Sequence, residues 1–156
     1  MELMRFSHTE EKLTFKGKEY KATCTVRNEL NGWRKKDEVI VTMPVSGSPE
    51  AYYPRKFPTG VWKISTPEYT SDPNYAPVKI RTSAVRRVVL WDVENGEYVE
   101  PSGDTQMDTS YLLHFAKNSK TTWGCIRLDS EEDALEIAKD VISGLIDGAV
   151  YIEVVI

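Results

Sequence analysis

A chain of 156 residues, 40% of them apolar, can bury one core without disulfide staples, so a single domain over residues 1–156 is expected. Its net charge of −4 argues against a nucleic-acid binder, which needs a strongly basic face. Two cysteines are too few for a disulfide scaffold, and two histidines without clustered acids make no metal set, so neither metal nor cofactor is expected.

Residues 1–15 mix Arg5, His8, Glu10, Glu11 and Lys12 and hold no apolar run of secretory length, nor does any later stretch span a membrane. Synthesis in the cytoplasm and no membrane partner are expected, with His8 an exposed residue. Leu13 to Phe15 and Tyr20 to Val26 alternate apolar with polar around Lys16-Gly17-Lys18-Glu19, a hairpin signal. Cys24 falls in the second of these runs and reads as a core thiol, although pairing with Cys125 stays open. Asn31-Gly32 marks a turn before a strand at Val39 to Met43. The basic clusters Arg34-Lys35-Lys36 and Arg86-Arg87 read as solvated faces.

Pro44, Gly47, Pro49, Pro54, Pro58 and Gly60 make 44–60 a long loop, whose Tyr52 and Tyr53, with Trp62 and Tyr69, are candidates to line a groove. Val61 to Ser65 reads as a strand. A second loop carries Pro67, Pro73 and Pro77, followed by strands at Val78 to Arg81 and Val85 to Trp91, the latter turning at Asn95-Gly96. Asp129-Ser130 followed by Glu131, Glu132 and Asp133 predicts a helix start, because a capping hydroxyl and acids suit the positive helix end. Leu135, Ile137, Ala138, Val141, Ile142 and Leu145 supply its apolar face, ending near Gly144 to Gly148. Val150 to Ile156 reads as a last strand. The expected fold class is α+β, predominantly β: a twisted or sandwich-like mixed sheet with one main helix near the C-terminus.

The chemistry concentrates between Tyr111 and Leu128. His114 lies eleven residues before Cys125, which is preceded by Gly124 and followed by Ile126 and Arg127. A thiol becomes a nucleophile when an imidazole takes its proton or a cation lowers its pKa. In an extended 125–128 segment, Cys125 and Arg127 share one face while Ile126 and Leu128 enter the core. Phe115 and Trp123 would flank the thiol, and Ser119, Thr121 and Thr122 are candidate hydroxyls to orient His114.

Gly124-Cys125-Ile126-Arg127-Leu128, with His114 upstream, resembles the signature of the L,D-transpeptidase (YkuD-like) catalytic domain. Phe57-Pro58-Thr59-Gly60-Val61-Trp62-Lys63-Ile64 is similar to the Pro-Thr-Gly strand segment that precedes that signature, and the resemblance is strongest over 40–135. Two positions depart from the family pattern: Trp123 stands where a second histidine is usual, and Phe115 where a small residue is usual.

The resemblance implies a cysteine acyltransferase acting on peptidoglycan stem peptides through a thioester on Cys125, with His114 as base and backbone N–H groups near Gly124 as oxyanion donors. Arg127 would hold a substrate carboxylate or brace the loop, and Trp123, Phe115, Tyr52, Tyr53, Trp62 and Thr122 would contact substrate. The acceptor is an amine or water, giving transpeptidation, D-amino-acid exchange or L,D-carboxypeptidation. Small chains of this pattern without a leader resemble phage or type VI secretion effectors. That implies action in the periplasm or cell wall after export, injection or lysis, and a secretion or immunity partner. The alternative is an inactive module of the same fold that binds peptidoglycan or a partner through the tyrosine-lined groove.

Overall fold

Residues 2–25, 40–43, 56–92, 97–99, 105–118 and 124–156 are described by the structure, a computed structural model; for 40–43, 88–92 and 97–99 the description is of the backbone alone. In chain order the elements are β1 (Glu2–Ser7), β2 (Lys12–Phe15), β3 (Lys18–Thr23), β4 (Ile40–Met43), β5 (Gly60–Ile64), β6 (Glu68–Tyr69), β7 (Val78–Asp92), β8 (Glu97–Val99), β9 (Thr105–Asp108), β10 (Leu112–His114), β11 (Ile126–Leu128), α1 (Glu131–Asp147) and β12 (Val150–Val155). The expected mostly β, mixed-sheet domain with a helix near the C-terminus is observed.

Its sheet is not an open sandwich. The order β10-β11-β3-β2-β1-β12-β5-β7, together with a β10–β7 pairing, closes a ring, so the strands form a barrel. Closure removes the exposed edges that an open sheet leaves for aggregation. Two neighbours run parallel, β1 with β12 and β10 with β11. β4, β8 and β9 pair antiparallel with the far part of β7, outside the ring.

Period-2 alternation decides which side chains fill the barrel. Met4, Phe6, Leu13, Phe15, Tyr20, Ala22, Trp62, Ile64, Val78, Ile80, Leu113, Ile126, Leu128, Val150, Ile152 and Val154 are buried together, and their sequence neighbours point outward. Burying each large apolar side chain is worth about 1.5–3 kcal/mol. The β2–β3 hairpin turns on Lys16 (φ 50°) and Gly17 (φ 75°) between the paired residues Phe15 and Lys18, as the glycine predicted. Two positive φ values make this the turn whose twist suits adjacent strands.

Helix α1 begins where expected. The Ser130 side chain accepts from the Asp133 N–H at 3.1 Å, with Glu131, Glu132 and Asp133 in the first turn. Its Ala134, Ile137, Ala138, Val141 and Gly144 face is buried, packing against β7, β11 and β12. Among the described residues no helix is long and apolar enough to cross a membrane.

Several expectations are corrected. The runs Val78 to Arg81 and Val85 to Trp91 are one strand of 15 residues, because Thr82 turns inward and its Oγ1 donates to the Tyr111 carbonyl at 2.7 Å. The strand expected over Tyr20 to Val26 ends at Thr23. Glu2–Ser7, to which the sequence pattern assigns no element, form a strand, β1, held between β2 and β12. His8 is half-buried, its Nε2 2.8 Å from the Phe57 carbonyl and its ring edge-on to Phe6. Arg86 is not solvated: it is 3% exposed, 4.0 Å from the Asp108 carboxylate and over the Trp62 ring. Arg34-Lys35-Lys36, Asn31-Gly32 and Asn95-Gly96 lie outside the described residues.

Candidate active site

The candidate face follows from strand register. On β10, Leu113 points into the barrel, so Leu112 and His114 point out. The parallel pairing sets His114 beside Arg127 and Leu113 beside Ile126; continued by one residue, it sets Leu112 beside Cys125. On the other flank the antiparallel pairing sets His114 beside Lys79 and Leu112 beside Arg81. Two rows therefore cross the outer wall of the barrel, Arg81–Leu112–Cys125 and Lys79–His114–Arg127. His114 and Cys125 are diagonal neighbours on one face, a separation that a long or aromatic side chain spans.

His114 is oriented by its own chain. Its Nδ1 lies 3.1 Å from the Phe115 carbonyl, and a carbonyl only accepts, so Nδ1 carries the proton and Nε2 keeps the lone pair. The ring is 5% exposed, edge-on to Tyr75 at 5.1 Å. Burial first, and the Arg127 charge after it, push its pKa below the ordinary 6.5, against the Phe115 hydrogen bond. At neutral pH it is a neutral base.

Cys125 is partly exposed. Burial pushes its thiol up to about 11, while a backbone hydrogen bond from Leu112 and the Arg81 charge pull it down. No resting thiolate forms at neutral pH, so a nucleophilic role for this thiol would require a base to take its proton.

Gly124 has φ 107°, a conformation open to glycine. Its carbonyl accepts from the Cys24 thiol at 3.3 Å, and Cys24 Sγ in turn accepts from the Phe57 N–H at 3.2 Å. Holding Gly124 O against buried Cys24 fixes the peptide that carries Cys125. Cys24 is a core thiol as expected, 7% exposed, and both cysteines are free.

Arg127 takes the bracing role. Its Nε and Nη2 donate to the Ala116 carbonyl at 3.3 and 3.0 Å, and its guanidinium lies over the Phe115 ring at 4.8 Å. That clamps the segment leaving His114. No family model, curated protein or solved structure matches this chain.

Not every predicted contact residue reaches this face. Trp62 is 1% exposed, packed edge-on against Phe57 and Tyr111 with its Nε1 donating to Pro58 O at 3.1 Å. It is a core residue and lines no groove, because its inward register on β5 leaves no solvent face. Phe115 packs partly against the core. Tyr52, Tyr53, Ser119, Thr121, Thr122 and Trp123 lie outside the described residues. Tyr75, Arg81 and Cys24 join the site unannounced by sequence. Only the sheet order brings them to Cys125, and no local motif marks them.

Proposed function

We propose that this chain is a cysteine acyltransferase of the L,D-transpeptidase type, acting on peptidoglycan stem peptides. The observation that carries the reading is the face shared by His114, on β10, and Cys125, one residue before the parallel β11, with His114 Nδ1 committed to the Phe115 carbonyl. A nucleophile, a base and a group that orients the base are the parts acyl transfer requires. The resemblance around Gly124-Cys125-Ile126-Arg127 and Pro58-Thr59-Gly60 supplies the substrate class.

In this mechanism His114 Nε2 takes the thiol proton as Cys125 Sγ attacks the carbonyl before a terminal D-residue. Backbone N–H groups near Gly124 and Cys125 would meet the developing oxyanion, a contribution typically worth about a hundredfold or more in rate. The C–N bond then breaks, the imidazolium returns its proton to the leaving amine, and a thioester remains on Cys125. An amine or water releases the acyl group, and His114 takes its proton while the thiol is re-formed.

Brief exposure to a carbapenem followed by peptide mass spectrometry tests the nucleophile: an adduct on Cys125, lost in Cys125→Ser, is expected. Incubation with purified peptidoglycan tests the reaction. Muropeptides changed by wild type but not by Cys125→Ala are expected, and an identical profile for both overturns the enzyme reading in favour of a binding module.

A further inference from the structure

We infer that Arg81 is the carboxylate-recognition residue of the Cys125 site, selecting acyl donors whose leaving group carries a free carboxylate. The placement comes from register. Ile80 and Thr82 point inward, so Arg81 points to the outer face, in the same cross-strand row as Leu112 and Cys125. Two strand spacings, about 10 Å, separate the Arg81 and Cys125 backbones. That span, across the row position of Leu112, is of the size of one substrate residue between a guanidinium and a carbonyl under attack.

The two cations of this face are not equivalent. Lys79, beside His114, is paired with Glu68 at 3.6 Å and lies over the Tyr75 ring. Arg81 meets no carboxylate among the described residues. Its Nη1 donates to the Thr109 carbonyl at 2.7 Å, which fixes the guanidinium without neutralising it. An anchored, unneutralised and partly exposed arginine beside a nucleophile is arranged to bind a planar anion, since its fork matches a carboxylate. The Arg81 field already reaches the thiol, favouring the thiolate.

The leaving-group assignment rests on the acyl-transfer reading; the charge recognition does not, and two measurements separate them. The first compares alkylation of Cys125 by iodoacetate and by iodoacetamide, read by peptide mass spectrometry at one pH. The ratio of the two rates cancels the thiolate fraction, so it reports recognition rather than activation. Arg81→Gln is expected to lower the iodoacetate-to-iodoacetamide ratio about tenfold, with Arg81→Lys in between. An unchanged ratio in a variant whose circular dichroism matches wild type overturns the inference. The second compares a stem tetrapeptide ending in a free D-alanine carboxylate with its C-terminal amide. Wild type is expected to prefer the acid, and Arg81→Gln to lose that preference, read as the ratio of the acid rate to the amide rate so that any change in thiol activation cancels. A preference that survives Arg81→Gln overturns the leaving-group assignment. Wild type inert on both, with the alkylation ratio still dependent on Arg81, overturns the acyl-transfer reading and leaves anion recognition standing.

Discussion

Cys24 and Gly124, 100 residues apart in the chain, meet where the Cys24 thiol donates to the Gly124 carbonyl at 3.3 Å. Because the same sulfur accepts from the Phe57 N–H, it joins the Phe57-Pro58-Thr59-Gly60 segment to the peptide that carries Cys125. Cys24→Ala leaves a buried N–H and a buried carbonyl without that partner. The expected cost is about 1–3 kcal/mol, read by urea denaturation. Carbapenem acylation of Cys125 is expected to slow in the folded variant, because the Gly124–Cys125 peptide is no longer held. Cys24→Ser, which keeps a donor and an acceptor, recovers most of the acylation rate; a Cys24→Ala protein acylated at the wild-type rate would refute the positioning role.

The two titratable partners define a pH profile. His114 sits below its ordinary 6.5, so transfer is expected to rise with pH as this histidine loses its proton, the limb lying below pH 6.5. With the Cys125 thiol at about 11, alkylation by iodoacetamide in His114→Asn should climb with pH and level off only near that value. Levelling by pH 8 would show a thiol activated at rest. Stability is bracketed by the same groups. His8 and His114, both lowered, favour the folded chain above 6.5, and that contribution is lost as pH falls through their folded values. Cys24 and Cys125, raised from 9.0 to about 12 and about 11, act oppositely: unfolded thiols ionise first, so stability falls as pH rises above 9. Thermal melts should therefore peak between about pH 7 and pH 9.

What the sequence reveals is what neighbours in the chain decide. Ser130 announces α1 because its cap reaches only to Asp133, and Gly17 announces the β2–β3 hairpin because the turn is local. Cys125 and Arg127 on one face, with Ile126 and Leu128 buried, follow from alternation alone. Elements decided by distant partners are hidden. β1 is a strand because β12 and β2 flank it, and no turn or cap within Glu2–Ser7 announces it. Thr82 reads as a break between two strands until Tyr111 supplies the partner for its hydroxyl. Barrel closure through β7 and β10 is of the same kind, and it is this closure that delivers Arg81 to the Cys125 row.

Arg86 and Asp108 form a pair buried to 3% and 4% exposure between β7 and β9, with Asp108 also held by the Ser110 hydroxyl and N–H. Removing one charge leaves the other in a poorly solvating interior. Asp108→Ala is expected to cost about 3–5 kcal/mol by denaturant titration. Replacing both, as Arg86→Met with Asp108→Leu, should cost less than Asp108→Ala alone, because no uncompensated charge remains. A double variant less stable than the single would show that the pair itself, rather than burial of an orphan charge, sets the cost.

Gly144 lies inside α1, where exchanging glycine for alanine ordinarily favours the helix by about 1 kcal/mol. Here the sign is reversed by packing. A Cβ at 144 would stand 2.9 Å from Val150 Cγ2 and 3.3 Å from Glu2 Cγ. Glu2 can swing aside, but Val150 is fully buried on β12 and its branched side chain has few rotamers to retreat to. Gly144→Ala is therefore expected to destabilise by about 1–3 kcal/mol, measured by urea denaturation. Val150→Ala removes the obstructing methyl, so adding Gly144→Ala to that background should stabilise it by up to about 1 kcal/mol. Equal penalties in both backgrounds would place the strain in the helix backbone instead of the contact with β12.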